Sequence, residues 1–218
     1  MQNDSIQDTS EQKIPLFPLN VVLFPGGILP LHIFEPRYQL MIQSCLDNES
    51  VFGVVLIKEG EEVGDTAKPH KVGTAAKIIE VDRFEDGRMN LLTAGQYRFE
   101  ITALQHEQPY LVGHIRVPPM TETENDEAIK PIVAEAGELY QNYEAMMDKL
   151  IFTWTAPESV PTRPHHLAYQ IGTRLQIPLD EKQELLETFR IDELLQQEIS
   201  LLEREARILK FRLSARNN

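Results

Sequence analysis

The stretch that decides the fold is Ile14–Tyr38, which reads IPLFPLNVVLFPGGILPLHIFEPRY. Nearly every residue up to Phe34 is apolar, and hydropathy alone would therefore point to a membrane span. The prolines and the Gly26-Gly27 pair exclude that interpretation, because they would break or kink a helix in lipid. The stretch instead predicts two short buried strands, Lys13–Phe17 and Ile28–Phe34, joined by a loop.

A helix is predicted directly after the second strand, because Pro36 suits the first position of a helix. One buried helical face is indicated by the spacing of Tyr38, Met41, Ile42 and Cys45. Cys45 is the single cysteine of the chain, which excludes an internal disulfide. Its position on this face predicts a buried small hydrophobe rather than a nucleophile.

Further strands are predicted up to the Pro118-Pro119 pair. They are Val51–Ile57, Gly73–Phe84, a run from Arg88 that Gly95 interrupts with a bulge or bend, and Pro109–Val117. The Asp86-Gly87 pair between two of these runs predicts a tight hairpin. About six strands with one short helix predict a closed or nearly closed, β-barrel-like sheet, which also hides its edges.

The hydrophobic period changes to that of helices after an acidic linker at Thr121–Glu127. Four helices are predicted there: a long one from Ile129 to Leu150, one around Leu167–Leu175, one that Asp180 and Gln183 begin with a capping box, and one from Asp192. We therefore expect an α+β chain with a disordered leader at 1–12, a β domain at 13–120 and a helical bundle at 121–218.

Several of these segments resemble the Lon N-terminal domain, the substrate-binding region of Lon-type ATP-dependent proteases. The matching segments are Pro15–Leu19, Val21–Gly26, Pro30-Leu31, the "VGTxAxI" strand Val72–Ile78, the hairpin at Asp86–Arg88, the "G-x-x-R-F" strand Leu91–Phe99 and the "LPLxxKQxLLE" segment Ile177–Glu187. His32–Tyr38 resembles the version in stand-alone Lon-domain proteins. The resemblance covers residues 13–212, and it implies a PUA-like barrel followed by helices.

The chemistry of Lon proteases has no counterpart in these motifs. Lon proteases cut with a Ser–Lys pair and are driven by a P-loop ATPase, whereas the sequence contains neither G-x-x-x-x-G-K-[ST] nor G-x-S-x-G. The six histidines lack the i, i+4 spacing of a helical zinc pair, and Cys45 has no C-x-x-C partner. The resemblance therefore implies the recognition domain alone, and we expect no enzymatic activity, no cofactor and no metal.

The formal net charge of −13 bears on the class of partner. It disfavours nucleic acid, whose sequence-independent binding depends on Lys and Arg, and it disfavours an anionic membrane surface. The polar N-terminus has neither the basic nor the apolar region of a signal peptide. We therefore expect a cytoplasmic protein.

The leading hypothesis is a module that binds unfolded or apolar protein segments, in protein quality control or proteolysis. The candidate binding residues are Phe24, Tyr38, Phe34 and Arg37. Phe24 is the strongest candidate, because it sits in a loop and is expected to expose its ring at the barrel edge. For Glu35 and Arg37 the alternative is a helix-entry cap together with an ion pair, and for the aromatic residues it is the core.

Two other functions remain open at this stage. A small-ligand or nucleic-acid binder is the alternative that the likeness to PUA-type barrels implies, and an unrecognised hydrolase is the third hypothesis. The last helix carries a second apolar stripe at Leu194, Leu201 and Ile208. That stripe fits either the bundle core or a partner surface, so a homo-oligomer through the bundle is also open.

Overall fold

The computed structural model describes residues 12–60, 67–119 and 126–216. Within these ranges the strands are β1 (Gln12–Leu19), β2 (Ile28–Ile33), β3 (Phe52–Glu59), β4 (Lys68–Arg83), β5 (Met89–Gln105) and β6 (Leu111–Arg116). The helices are α1 (Pro36–Asp47), α2 (Asp126–Leu150), α3 (Pro164–Arg174), α4 (Leu179–Glu187) and α5 (Ile191–Arg216). The chain divides into two compact units, of which one ends at Pro118 and the other begins at Pro119.

Two predicted connecting segments fall largely outside the described residues. Of the predicted leader at 1–12, only Gln12 is described, and it begins β1. Of the predicted acidic linker, only Asp126 and Glu127 are described, and both belong to the first turn of α2. The strand and the helix next to these segments therefore begin slightly earlier than predicted.

The strands of the first unit form a barrel. β1 pairs in parallel with β3, and the other neighbours pair antiparallel. Because β6 pairs with both β1 and β5, five strands close into a ring in the order β1-β3-β4-β5-β6. β2 lies outside the ring, against the first part of β5. The predicted barrel-like sheet is confirmed, although β2 retains an edge that the prediction assumed to be closed.

A small apolar core fills the ring. Its buried members are Ile14, Leu16, Val55, Ala75, Phe99, Ile101 and Ile115. Two glycines make room for the larger side chains. A Cβ atom on Gly53 would lie 2.6 Å from the Cζ atom of Phe99, and one on Gly113 would lie 2.8 Å from a methyl of Leu16. The narrow ring is therefore packed with side chains and holds no ligand cavity among these residues.

A second core lies between α1 and the outer face of the sheet. Helix α1 begins with Pro36 as predicted, and Tyr38, Met41, Ile42 and Cys45 are buried. They pack in one cluster with residues from the strands and the first loop, which include Phe17, Leu23, Ile33, Phe52, Val54, Met89 and Leu91. Helix α1 thus packs against one face of the β-barrel. The residues just before the helix lie at the border of that core.

The β4–β5 hairpin turns at the predicted Asp86-Gly87 pair. Gly87 adopts a φ of 87°, which glycine tolerates best. The Asp86 carboxylate accepts hydrogen bonds from the backbone N–H of Arg88 at 3.1 Å and from its Nε at 2.7 Å. Further along, the register skips Gln96, because Ala75 faces Tyr97 while Ala76 faces Gly95. The predicted irregularity at Gly95 is therefore a bulge.

The second unit consists of α2 to α5, and α5 packs against α2 and α3. Most residues of the predicted seams are buried, among them Ile129, Ala136, Tyr140, Tyr143, Leu167, Ile171, Leu175, Leu195, Leu202 and Leu209. In the second stripe of α5, Leu194 is buried and Ile208 is exposed. The predicted helical region is confirmed.

The predicted capping box at Asp180 is wrong. Helix α4 begins at Leu179 with Pro178 as its N-cap residue, and no side chain caps it. Asp180 already lies inside the first helical turn, where its carboxylate favours the helix dipole instead. The side-chain amide of Gln183 donates to Glu187 Oε1 at 2.8 Å.

A buried carboxylate fixes the segment that follows α2. Glu144 accepts hydrogen bonds from Arg174 Nε at 2.6 Å and from Trp154 Nε1 at 2.7 Å. The guanidinium carbon of Arg174 lies 4.5 Å from the centre of the Trp154 ring. Burying a charge is costly unless it is paired and hydrogen-bonded, and this carboxylate is both. We therefore interpret Glu144 as a structural residue.

Candidate functional site

Phe24, the leading sequence candidate, is buried with an exposed fraction of 0%. The expectation that its ring forms an exposed aromatic surface is therefore wrong. The cause lies in the backbone of its loop. Gly26 N–H donates to Gly95 O at 2.8 Å, and Gly95 N–H donates to Gly27 O at 2.9 Å. The hydroxyl of Thr74 donates to Leu23 O at 2.5 Å, so both ends of the Phe24 turn are held against the barrel.

Tyr38 also belongs to the core, with an exposed fraction of 5%. Its ring packs against Phe17 with 4.1 Å between centroids and 32° between planes. The guanidinium carbon of Arg37 lies 4.5 Å above the same ring. Tyr38 therefore supports the start of α1 and offers little of its surface to a partner.

Arg37 forms the predicted ion pair with Glu35. Its Nη2 and Nε atoms lie 3.0 Å and 3.1 Å from Glu35 Oε2. Glu35 is the N-cap residue of α1, yet its carboxylate makes no hydrogen bond to the helix backbone. The pair thus orders the side chains at the helix entry, while the capping part of that alternative is wrong.

A cavity of about 290 Å³ lies beside Arg37 and Tyr38. Its other walls come from the end of β1 and the β5–β6 connection, and they include Pro18, His106, Gln108, Pro109, Tyr110 and Leu111. The lining mixes polar and apolar groups. The guanidinium that faces it is already paired with a carboxylate, so the cavity presents no free charge from Arg37.

Phe34 is the sequence candidate that the structure leaves open to solvent, with an exposed fraction of 52%. Its ring is stacked with that of His32 at 6.1 Å between centroids, and His32 meets the edge of the Phe84 ring at 6.3 Å. Phe84, at the end of the β4–β5 hairpin, is 39% exposed. Three rings from two neighbouring elements thus form one exposed aromatic cluster.

The aromatic cluster continues along β2. Alternate side chains of a strand share a face, and Ile28, Pro30, His32 and Phe34 are all exposed, with Ile28 at 55%. Together with Phe84 these four residues define what we call the β2 surface. Their neighbours Leu29, Leu31 and Ile33 point the other way, into the core below α1.

Charged and polar groups surround the β2 surface. His32 and Asn90 are cross-strand partners, and their Nδ1 and Oδ1 atoms lie 2.7 Å apart. On β4 the exposed residues Glu80 and Asp82 face Leu92 and Asn90. The guanidinium carbon of Arg88 lies 5.6 Å from the Phe84 ring centre, and Arg88 is itself paired with Asp86. The surface is therefore apolar along β2, while β4 presents Glu80 and Asp82 near Pro30 and His32 and the exposed Lys77 near Ile28.

Sequence reasoning found Phe34 but missed the other members of the β2 surface. Pro30 and His32 were a usable signal, because they stand at every second position between Leu29, Leu31 and Ile33 and so share one face of a strand. Phe84 stands directly before the Glu85-Asp86-Gly87 turn, where a large aromatic ring has few core neighbours. Its contact with His32 depends on strand pairing and carries no local signal.

Cys45 and Lys182 are two potentially reactive side chains among the described residues. Cys45 is buried as predicted, and burial raises the pKa of its thiol. Burial also lowers the pKa of Lys182 to about 8, and its amine donates to Thr173 O at 3.0 Å. Among the described residues, no three His, Cys, Asp or Glu side chains cluster as metal ligands would. No helix of the described ranges is both long enough and apolar enough to span a bilayer.

Comparisons with known proteins agree with this architecture. The profile of the ATP-dependent protease La (LON) substrate-binding domain matches residues 13–204. The chain is 30% identical over 199 residues to the Lon protease of Anaeromyxobacter dehalogenans and 32% identical over 208 residues to Lon protease 2 of Myxococcus xanthus. These alignments cover 90% and 91% of this chain, but the chain spans only 24% of either relative.

Two solved structures share the fold. A Lon N-terminal domain protein from Xanthomonas campestris aligns over 87% of this chain with a TM-score of 0.63 and 22% identity. The N-terminal domain of a Mycobacterium avium complex Lon protease aligns over 88% of it with a TM-score of 0.64 and 22% identity. The alignments cover 98% of each solved chain. The match to the family profile, nearly the full length of the chain, shows that this chain belongs to the Lon substrate-binding domain family.

Proposed function

We propose that this chain binds apolar segments of other polypeptides, and that the β2 surface is the place of contact. The observation that carries the proposal is the exposure of Phe34 next to the exposed side chains of Ile28, Pro30 and His32 on β2. Contiguous exposed apolar groups on a soluble domain mark interaction sites more often than scattered ones do. The family assignment supports a protein substrate, and the β2 surface supplies a suitable contact for one.

The contact chemistry favours a segment that is apolar with some positive charge. Aromatic rings provide large contact areas at a small entropic cost, and Phe34 and Phe84 are 52% and 39% exposed. Glu80 and Asp82 lie across β5 from the apolar strand, and the chain as a whole carries a net charge of −13. Basic groups on the partner would be attracted to that side, and acidic ones repelled.

The test is the affinity of a short synthetic peptide in which leucine alternates with lysine and serine, measured by fluorescence anisotropy. Phe34→Ala removes a half-exposed ring whose remaining surface the peptide would cover. We expect about a five- to tenfold loss of affinity, because burying half of a phenylalanine is worth roughly 1–1.5 kcal/mol. The melting temperature should fall only slightly, because the exposed half of the ring makes no folding contribution and the other half loses its contact with His32.

Phe152→Ala is the matched control for that experiment. Phe152 is a fully exposed phenylalanine of the second unit, with an exposed fraction of 102% against 52% for Phe34, so its removal deletes more exposed apolar surface elsewhere. Its affinity for the peptide should equal that of the unmodified chain. Equal losses for Phe34→Ala and Phe152→Ala would mean that the peptide binds exposed rings without a site, and would contradict the proposal.

Arg37 and Tyr38 stay predictions as binding residues. Their cavity lies at the other end of the Phe34–Tyr38 segment from the β2 surface, and Arg37 is the member that partly faces solvent. Arg37→Met keeps most of the side-chain length and removes the charge. An unchanged affinity in this variant would confine the site to the β2 surface.

We also propose that the chain neither hydrolyses ATP nor cuts polypeptides. The support is the absence from its sequence of the P-loop motif and of the nucleophile elbow. The purified chain should leave casein intact in the presence of ATP and release no phosphate. ATP turnover that persists at constant specific activity through repeated purification would contradict this part of the proposal.

A further inference from the structure

β2 has one free edge. Within the described residues it pairs with β5 alone, and the sheet ends there. The backbone groups of a strand point alternately to its two sides, so every second residue of β2 presents its N–H and C=O away from β5. Which residues these are can be read from the contacts that β2 makes with its neighbour.

Odd-numbered residues face β5. Gly27 O accepts a hydrogen bond from the backbone N–H of Gly95 on β5. Leu29 O accepts one from the hydroxyl of Thr93, also on β5, at 2.8 Å. By alternation, the backbone groups of Ile28, Pro30 and His32 face outward. Pro30 fits this assignment, because a proline in a sheet is tolerated where its missing donor would face solvent.

The free edge therefore offers a defined set of hydrogen-bonding groups. These are the donors of Ile28 and His32 and the carbonyl oxygens of Ile28, Pro30 and His32. The set ends at Phe34, whose carbonyl oxygen accepts a hydrogen bond from Gln39 Nε2 at 3.3 Å. The side chains of the same residues form the β2 surface, so the unpaired backbone and the exposed apolar groups coincide.

We infer that the partner segment is extended and adds to the sheet as a new strand along β2, with alternate side chains resting on the β2 surface. This inference rests on the proposed function and specifies the conformation of the bound segment. Strand addition combines backbone hydrogen bonds, which accept many sequences, with side-chain contacts about 5 Å across the strands, which select apolar residues. A substrate-binding domain that accepts varied segments is well served by that combination.

A second copy of this chain fits the edge less well than a foreign segment. A symmetric pairing of two β2 strands about Pro30 would place two residues without donors opposite each other. Two chains that each carry a net charge of −13 also repel one another. The extended segment of a partner meets neither obstacle, and a segment that carries lysine is attracted.

The first test uses the unmodified chain and N-methylated versions of the leucine–lysine–serine peptide. One version has every second backbone nitrogen methylated, and the other has the alternate set methylated. A bound strand turns only one set of N–H groups towards β2, so one version should lose affinity at least tenfold while the other binds nearly as the parent does. Equal affinities for the two versions would overturn strand addition. Failure of the parent peptide to bind would instead overturn the proposed function.

The second test adds the donor that the edge lacks. Pro30→Val keeps an exposed apolar side chain with good strand propensity and supplies an outward N–H. We expect it to bind the parent peptide about three- to tenfold more tightly, which is the usual worth of one additional hydrogen bond. Pro30→Thr should give the same gain with a different side chain. No gain in either variant, with melting temperatures at or above that of the unmodified chain, would contradict the inference.

Sedimentation equilibrium, with and without the peptide, tests the alternative occupant. The unmodified chain should form no dimer that the peptide dissociates. Pro30→Val should form no dimer that competes with peptide binding. A dimer that Pro30→Val strengthens and the peptide fails to dissociate would show that β2 pairs with a second copy, and would overturn the inference.

Discussion

The loop Asn20–Gly27 and the strand Ile28–Ile33 are adjacent and similarly apolar, but they differ in how far their side chains are exposed to solvent. Phe24 in the loop is completely buried, whereas Phe34, just past the strand, is half exposed. An isolated loop would be expected to expose its side chains and a strand to bury one of its faces. The difference teaches that exposure here depends on how many strands of the barrel a segment is hydrogen-bonded to, because the loop is bonded to both β4 and β5 whereas β2 pairs with β5.

Three hydrogen bonds hold the loop against the barrel, while β2 is paired along one of its edges. The backbone of Leu23, Gly26 and Gly27 reaches Thr74 on β4 and Gly95 on β5, so the chain between them lies flat on the barrel. In the part of the chain that the structure describes, β2 pairs with β5 alone, and the side chains on its outer face are exposed. The loop, bonded to two strands, contributes to the stability of the fold, whereas β2, paired along one edge, is the segment that we propose for binding.

Phe24→Ala should produce the largest effect on stability. Removing a fully buried phenylalanine from a packed site usually costs about 3–5 kcal/mol. Urea denaturation followed by circular dichroism would measure the free energy of unfolding of the variant and of the unmodified chain. A loss below about 1 kcal/mol would mean that the loop is only loosely attached, and would remove the contrast with β2.

Gly95→Ala should come next. A methyl group at this position would clash with the carbonyl oxygen of Phe24, which is backbone and cannot swing aside. We expect a destabilisation of about 2–3 kcal/mol, in the range of overpacked sites. Gly26→Ala is the control within the same loop, because its φ of 79° costs about 1 kcal/mol although nothing lies within 4 Å of the added atom. A smaller loss of unfolding free energy for Gly95→Ala than for Gly26→Ala would show that the loop can move away from β5 at little energetic cost.

Thr74→Val and Thr93→Val compare the attachments of the two segments directly. Both hydroxyls are buried and donate to a carbonyl, Thr74 to Leu23 in the loop and Thr93 to Leu29 in β2. Leu29 also lies in the ladder with β5, so its oxygen keeps a partner after the change. We expect a loss of about 1–2 kcal/mol for Thr74→Val and about 0.5 kcal/mol for Thr93→Val. The same denaturation curves would measure both, and a reversed order would contradict our account of the loop.

The sequence predicts much of the barrel because its signals there are local. Prolines and glycines separate β1, β2 and α1, the Asp86-Gly87 pair places a hairpin, and Gly95 marks a bulge. The burial of Phe24 could not be predicted in the same way. Its loop is hydrogen-bonded to Thr74 and Gly95, which lie about 50 and 70 residues further along the chain. The register of β4 and β5 brings these two residues close to the loop.

The candidate site was only half visible for the same reason. Phe34 and the alternation along β2 are local features, but the position of β2 outside the ring follows from the order in which distant strands pair. The contact of Phe84 with His32 also requires the register of β2, β4 and β5. Exposure is a property of the completed sheet, whereas hydrophobic patterning records only that a residue is apolar.

The central claim is that the β2 surface, and not the neighbouring loop, receives apolar segments. Nuclear magnetic resonance shift perturbation with the leucine–lysine–serine peptide tests it most directly, because one titration reports on both segments of the same molecule. We predict that the largest shifts occur at residues 28–34 and at Phe84, with little change at residues 20–24. Shifts concentrated in the loop, or spread evenly over the barrel, would contradict the claim.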